Sequence, residues 1–239
     1  MRFLGWSCAL VLAGGLSAHA LSVSPTRIVI NDDGGTQVAV RLAGESGPIP
    51  LEVTIVERFP GGAFAAVPES VIRAHPPQLL LDTDKPRNVQ IEISGGIAEE
   101  TGRSFYLRIE QLGLRSVHGG AEDDREIMLL ATYLLPVHVL GGHAEKLIAE
   151  LVLAPEGAQV VFTNAGQGPV LLSNCSVTFT AQTGADVEID GRRLAEQIGS
   201  DAILPSETIR FDLVSLLSNS KSQSEAAVIR VRTACDRSS

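Results

Sequence analysis

Residues 126–140 read EIMLLATYLLPVHVL, a run that is long, almost wholly apolar and uncapped at either end. The segment Gly119-Gly120-Ala121-Glu122-Asp123-Asp124 precedes it and Gly141-Gly142 follows, the punctuation that bounds a strand rather than a helix. It is too long for an ordinary strand, which has about five or six residues. A strand of this length must run past its own sheet, join two domains, or offer part of its apolar surface to something else.

Outward from it, short apolar or alternating runs recur between turn residues. Upstream lie Leu21 to Ile30, Thr36 to Leu42, Leu51 to Arg58, Leu79 to Leu81, Asn88 to Ile93 and Ser104 to Leu112. Gln37-Val38-Ala39-Val40-Arg41-Leu42 and Glu52-Val53-Thr54-Ile55-Val56-Glu57 alternate as strands covered on one face do. His75-Pro76-Pro77 restricts its segment to a sheet edge or a loop, because proline gives the ladder no donor. The first half thus holds about seven strands, the spacing of an immunoglobulin-like sandwich. Downstream, Lys146 to Leu153, Gln159 to Thr163, Val170 to Thr180, Asp186 to Ile189, Ala202 to Leu204, Glu207 to Leu213 and Glu225 to Thr233 predict a second, smaller β domain. Residues 192–198 have the pattern of a helical turn, too short to change the class. The expectation is all-β, with one domain over 21–141 and another over 142–239.

Residues 1–20 stand apart. Arg2, the apolar stretch Phe3 to Leu16 and Ala18-His19-Ala20 form the three regions of a signal peptide, with cleavage expected after Ala20 and no membrane insertion afterwards. At 44% hydrophobic and 20% charged, the 239 residues can bury substantial cores, and the net charge of −9 argues against nucleic acid as a partner. Export places Cys175 and Cys235 in an oxidising compartment, where they are either a disulfide or two separate buried thiols. No spacing of Cys or His suits a metal, and no cofactor motif is present in the mature sequence, so neither is expected. Asp32 and Asp33, or Asp82 and Asp84, are carboxylate pairs, but they sit in turns where Asp serves the backbone. His138, on the long strand, reads as structural rather than as a base. The chain does not read as an enzyme.

The order of segments resembles the periplasmic chaperones of the chaperone/usher pathway. The residues that carry the resemblance are Ser24-Pro25-Thr26-Arg27-Ile28-Val29-Ile30, His75-Pro76-Pro77-Gln78-Leu79, the aromatic strand Phe105 to Leu112, Val161-Phe162-Thr163-Asn164-Ala165-Gly166 and Ile203-Leu204-Pro205-Ser206-Glu207-Thr208. Tyr133-Leu134-Leu135-Pro136-Val137 looks most like the archaic branch, which serves spore-coat-U-like subunits.

The resemblance implies two immunoglobulin-like β-sandwich domains set in an L, a periplasmic location, and pilus or fimbrial subunits and an outer-membrane usher as partners. It also implies that the long strand completes a subunit lacking its own last strand. Alternation alone leaves the parity of that strand open, since Ile127, Leu129 and Ala131 share one face and Met128, Leu130 and Thr132 the other. By position relative to Pro136, the resemblance favours Ile127, Leu129, Ala131 and Tyr133 as the donated face. Exposed hydrophobes there would also drive weak self-association of the free protein.

The family grips its client's terminal carboxylate with a basic pair. One member matches Arg27; the strand lysine of the pair is replaced by Pro136, for which Arg108 is the substitute considered. The alternative reading is an exported structural component or adhesin of a fimbria. The start of the first strand close behind Ala20 speaks against it, because a subunit carries a donor extension ahead of its first domain.

Overall fold

The computed structural model describes residues 21–30, 37–44, 48–82, 85–93, 102–113, 130–141, 146–155, 157–217 and 228–235. Residues 1–20, expected as a signal peptide, and Ile127 and Leu129 lie outside the described residues. The first ten strands are β1 (Leu21–Ser24), β2 (Ile28–Ile30), β3 (Gln37–Gly44), β4 (Ile49–Arg58), β5 (Phe64–Ala66), β6 (Ile72–His75), β7 (Gln78–Leu81), β8 (Arg87–Ile93), β9 (Arg103–Gln111) and β10 (Thr132–Val139). They form two sheets. One has the order β1-β3-β8-β6, the other β2-β10-β9-β4, with β5 and β7 both pairing β4.

Alternation builds the core between them. Val40, Leu42, Val89, Ile91 and Ile72 come from the first sheet, and Leu51, Val53, Phe105, Leu107, Ile109, Leu135, Val137 and Val139 from the second. Two details depart from the sequence expectation. Leu21 to Ile30 is not one strand but two, β1 on one sheet and β2 on the other, divided around Pro25. The diproline does what its lack of donors requires: β6, just before it, is an edge strand, and β7, just after it, belongs to the opposite sheet.

The second core is separate and gathers Val160, Phe162, Val177, Phe179, Ile189 and Leu194 among others. Its strands are β11 (Leu147–Ala154), β12 (Gly157–Asn164), β13 (Val170–Leu171), β14 (Cys175–Ala181), β15 (Asp186–Asp190), β16 (Ala202–Ile203), β17 (Thr208–Asp212) and β18 (Val228–Cys235). The sheets run β11-β12-β17 and β15-β14-β18, and β13 pairs with β16 in a separate two-stranded ladder.

The run expected as one strand from Val170 to Thr180 is broken by a 3-10 turn at Leu172–Asn174. That turn receives the helix Gly191–Ile198, whose N-cap Asp190 accepts the Arg192 N–H through its carboxylate at 2.8 Å. Gly191 has no substitute there, because a Cβ would stand 1.8 Å from the Leu172 carbonyl oxygen. Cys175 and Cys235 face each other across β14 and β18 and are joined as a disulfide.

Candidate functional site

The strand β10 is covered unequally on its two edges. Along its whole length it pairs antiparallel with β9, Thr132 opposite Glu110 through Val139 opposite Arg103. On its other edge β2 pairs parallel with Val137, His138 and Val139 only. Among the described residues, no strand takes that edge over 132–136. The Gln111 N–H donates to the Ala131 carbonyl at 3.0 Å, so odd-numbered residues direct their backbone groups to β9. Thr132, Leu134 and Pro136 therefore direct theirs to the open edge; further on, the Leu140 N–H uses the same side to reach the Ile30 carbonyl at 2.8 Å. Pro136 brings no N–H to that side, so its placement breaks no bond to β9.

The side chains follow the same alternation. Leu135, Val137 and Val139 are in the first core, Tyr133 leans on it half-buried, and Ala131 continues that parity. On the opposite face Leu130 and Leu134 are 54% and 46% exposed. Of the expected donor residues, then, Ala131 and Tyr133 belong to the face that fills this domain's own core, and burial on that face declines toward the start of the strand.

A second set of contacts meets the end of this strand. The register of β2 on β10 carries Arg27, just ahead of Ile28, to the level of Pro136. Its Nη1 donates to Ser173 Oγ at 2.7 Å and pairs with the Asp201 carboxylate, both in the second domain. Arg108 does not join it. It lies across from Leu134 and pairs with Glu110 on its own strand at 2.6 Å.

Arg58, at the end of β4, makes the more buried link. Its Nη2 meets Glu207 Oε1 at 2.7 Å and its Nη1 donates to the Ala202 carbonyl at 3.1 Å. Glu207 Oε2 in turn accepts the Leu204 N–H at 2.8 Å. Nearby, Gly102 abuts Pro169 so closely that a Cβ would fall 2.6 Å from its Cδ. Buried Asn164 ties the two second-domain loops involved: its Nδ2 donates to the carbonyls of Gly168 and Ile203 at 2.8 and 2.7 Å, and its Oδ1 accepts the Gly166 N–H at 2.8 Å.

His138 is enclosed at this junction, 1% exposed, sharing a 2.9 Å hydrogen bond with Ser104 Oγ through Nδ1. Burial pushes its pKa down to about 4; Asp201 works against the shift, and Arg27 and Arg58 add to it. The ring is thus neutral when folded, and the unfolded chain binds the extra proton as pH falls below about 6.5. Stability from this residue is whole above that value and lost progressively down to pH about 4, to a total of roughly 3 kcal/mol. Denaturant titrations at pH 7 and pH 4 should show the wild type losing more than His138→Gln by that amount; parallel losses would refute the assignment.

Arg58, Asp201, Ser173 and Glu207 carry no mark in the sequence that pairs them. Glu207 lies in the Ile203-Leu204-Pro205-Ser206-Glu207-Thr208 segment, yet Arg58 stands 149 residues before it, as an ordinary end to an alternating strand.

No protein-family model matches the chain, and no curated protein matches it in sequence. Solved structures do match it in shape. A chain of the CsuC–CsuE chaperone–tip adhesion subunit pre-assembly complex, from archaic chaperone-usher Csu pili of Acinetobacter baumannii, superposes with a TM-score of 0.50 at 13% identity, covering 81% of this chain and 90% of that one. The class 5 fimbriae chaperone CfaA gives a TM-score of 0.53 at 10% identity, covering 81% and 85%. This is the fold of the fimbrial chaperones. The E. coli chaperone DraB shares it as well, with a TM-score of 0.51 at 12% identity over 82% and 86% of the two chains. The half-open strand β10 and the charged junction at Arg27 adjoin each other, since Arg27 lies level with Pro136.

Proposed function

We propose that the protein is a periplasmic chaperone of the chaperone/usher type, which holds a fimbrial subunit by lending it the open edge of β10 and delivers it to an outer-membrane usher. The observation that carries this reading is the strand edge at 132–136, whose Thr132 and Leu134 backbone groups point to a side that β2 leaves uncovered. A subunit missing its last strand needs both ladder partners and apolar side chains, and an added strand supplies the two together. The likeness in fold to chaperones, one of them solved as a pre-assembly complex with a tip subunit, supports the same reading.

The donated face is the one on which Ile127 and Leu129 share parity with Ala131 and Tyr133. Each large hydrophobe buried in the client contributes roughly 2 kcal/mol before ordering costs. Arg27, level with Pro136, stands where a strand running parallel to β10 along the open edge would end, and its guanidinium suits that strand's terminal carboxylate. Arg108 is set across from Leu134 with Glu110 as its partner, so the anchor rests on Arg27.

The test is co-purification from periplasm with candidate subunits encoded beside it, comparing wild type with Leu129→Glu and Leu134→Glu. Recovery of one subunit per chaperone, abolished by Leu129→Glu and kept by Leu134→Glu, is the expected result. The reverse pattern would move the donated face to the exposed side of β10. Binding that survives both substitutions would sink strand lending altogether.

A further inference from the structure

We infer that Asp201 and Ser173 of the second domain are positioning residues for Arg27: they occupy Nη1 and leave the Nε and Nη2 side of the guanidinium open to a client carboxylate. The inference rests on the anchoring role proposed for Arg27. A guanidinium can grip a carboxylate with two parallel bonds from Nε and Nη2, provided its plane is fixed. Both hydrogens of Nη1 are committed, one to Ser173 Oγ and one to the Asp201 carboxylate. Among the described residues, Nε and Nη2 have no hydrogen-bond or ion-pair partner, and the side chain is 38% exposed.

The hold is itself held. Asp201 Oδ1 accepts the Ser173 N–H at 3.0 Å, Ser173 Oγ donates back to Oδ2 at 3.3 Å, and the Asp201 carbonyl accepts the Leu172 N–H at 2.8 Å. The 172–174 turn lies against Gly191 on one side and runs into the disulfide-bonded Cys175 on the other. Arg27 thus has its plane set by a rigid part of the second domain, although it belongs to the first. A carboxylate docking beside Asp201 meets some repulsion, weakened by the water that reaches this partly exposed site. Two charge-assisted hydrogen bonds to a pre-oriented fork outweigh it.

The experiment uses the mature full-length protein and a labelled strand-forming peptide of alternating Val and Thr, made with a free C-terminal carboxylate and, separately, as the C-terminal amide. Wild type should prefer the acid by about tenfold or more, and Arg27→Ala should abolish the preference. Asp201→Ala and Ser173→Ala should each erase most of it while leaving amide affinity unchanged. Asp201→Asn, which keeps an acceptor for Nη1, should retain it. If wild type does not distinguish acid from amide, or binds neither, the anchoring role of Arg27 falls and the inference with it. If wild type distinguishes them and Asp201→Ala does so equally well, or binds the acid more tightly, Arg27 stands as the anchor and Asp201 is a bystander or a competitor.

Discussion

Replacing Arg58 with Ala is expected to cost about 3–5 kcal/mol of stability, the usual penalty for removing one partner of a buried ion pair. Arg58 and Glu207 are only 11% and 10% exposed, so water does not replace what is lost. The substitution leaves Glu207 Oε1 without its donor and the Ala202 carbonyl with only the Ser200 hydroxyl, at 3.0 Å, while Glu207 stays fixed by the Leu204 N–H. The cost should fall on the link between the domains rather than on either core, because the bonds lost run from a first-domain side chain to Glu207 and to the backbone of Ala202 in the second domain. Denaturant unfolding of Arg58→Ala should therefore separate into two transitions where the wild type shows stronger coupling. Arg58→Met combined with Glu207→Gln should recover part of the loss, since the lone charge is removed and an acceptor for Leu204 remains. A shift for Arg58→Ala below roughly 1 kcal/mol, as for an exposed pair, would show that the junction is wet and loosely held.

The second large effect concerns the disulfide. Cys175 and Cys235 are 60 residues apart, and closing a loop of that size removes enough freedom from the unfolded chain to contribute about 4 kcal/mol in the chain-entropy model. The bond joins the central strand β14 to β18, and β14 also pairs β15, so its loss releases an entire sheet of the second domain. Cys175→Ala with Cys235→Ala, or reduction of the wild type, should lower the unfolding midpoint of the second domain and leave that of the first where it was. Equal midpoints with and without reductant would mean that the ladder between β14 and β18 is sufficient by itself.

The class and the two cores were legible because alternation is a local signal: Val38 to Leu42, Val89 to Ile93 and Phe105 to Ile109 announce their faces residue by residue. The diproline edge could be recognised because proline's missing donor is equally local, whereas the segments around Asn164 and Pro205 were recognised only through the family resemblance. The division of the first strand at Pro25 and the 3-10 turn inside Val170 to Thr180 were not legible, since each depends on which sheet the next residues reach. The site shows the same limit. Leu130, Leu134, Leu135 and Val137 are all apolar, so pattern alone could not separate the exposed parity from the buried one. Nor does a sequence state that Arg27 meets Asp201 or that Arg58 meets Glu207, pairs that join two halves with separate cores across long stretches of sequence.

Asn164 gives that meeting a single point of control. One amide side chain bridges the carbonyl of Gly168, a residue away from Pro169, and the carbonyl of Ile203, beside Ala202. The Pro169 loop abuts Gly102 and the Ala202 to Glu207 turn receives Arg58, so two of the second domain's footholds on the first, beside the Ser173 and Asp201 contacts to Arg27, hang from the same residue. Whatever shifts this amide shifts the two together, like a hinge pin rather than like two independent latches.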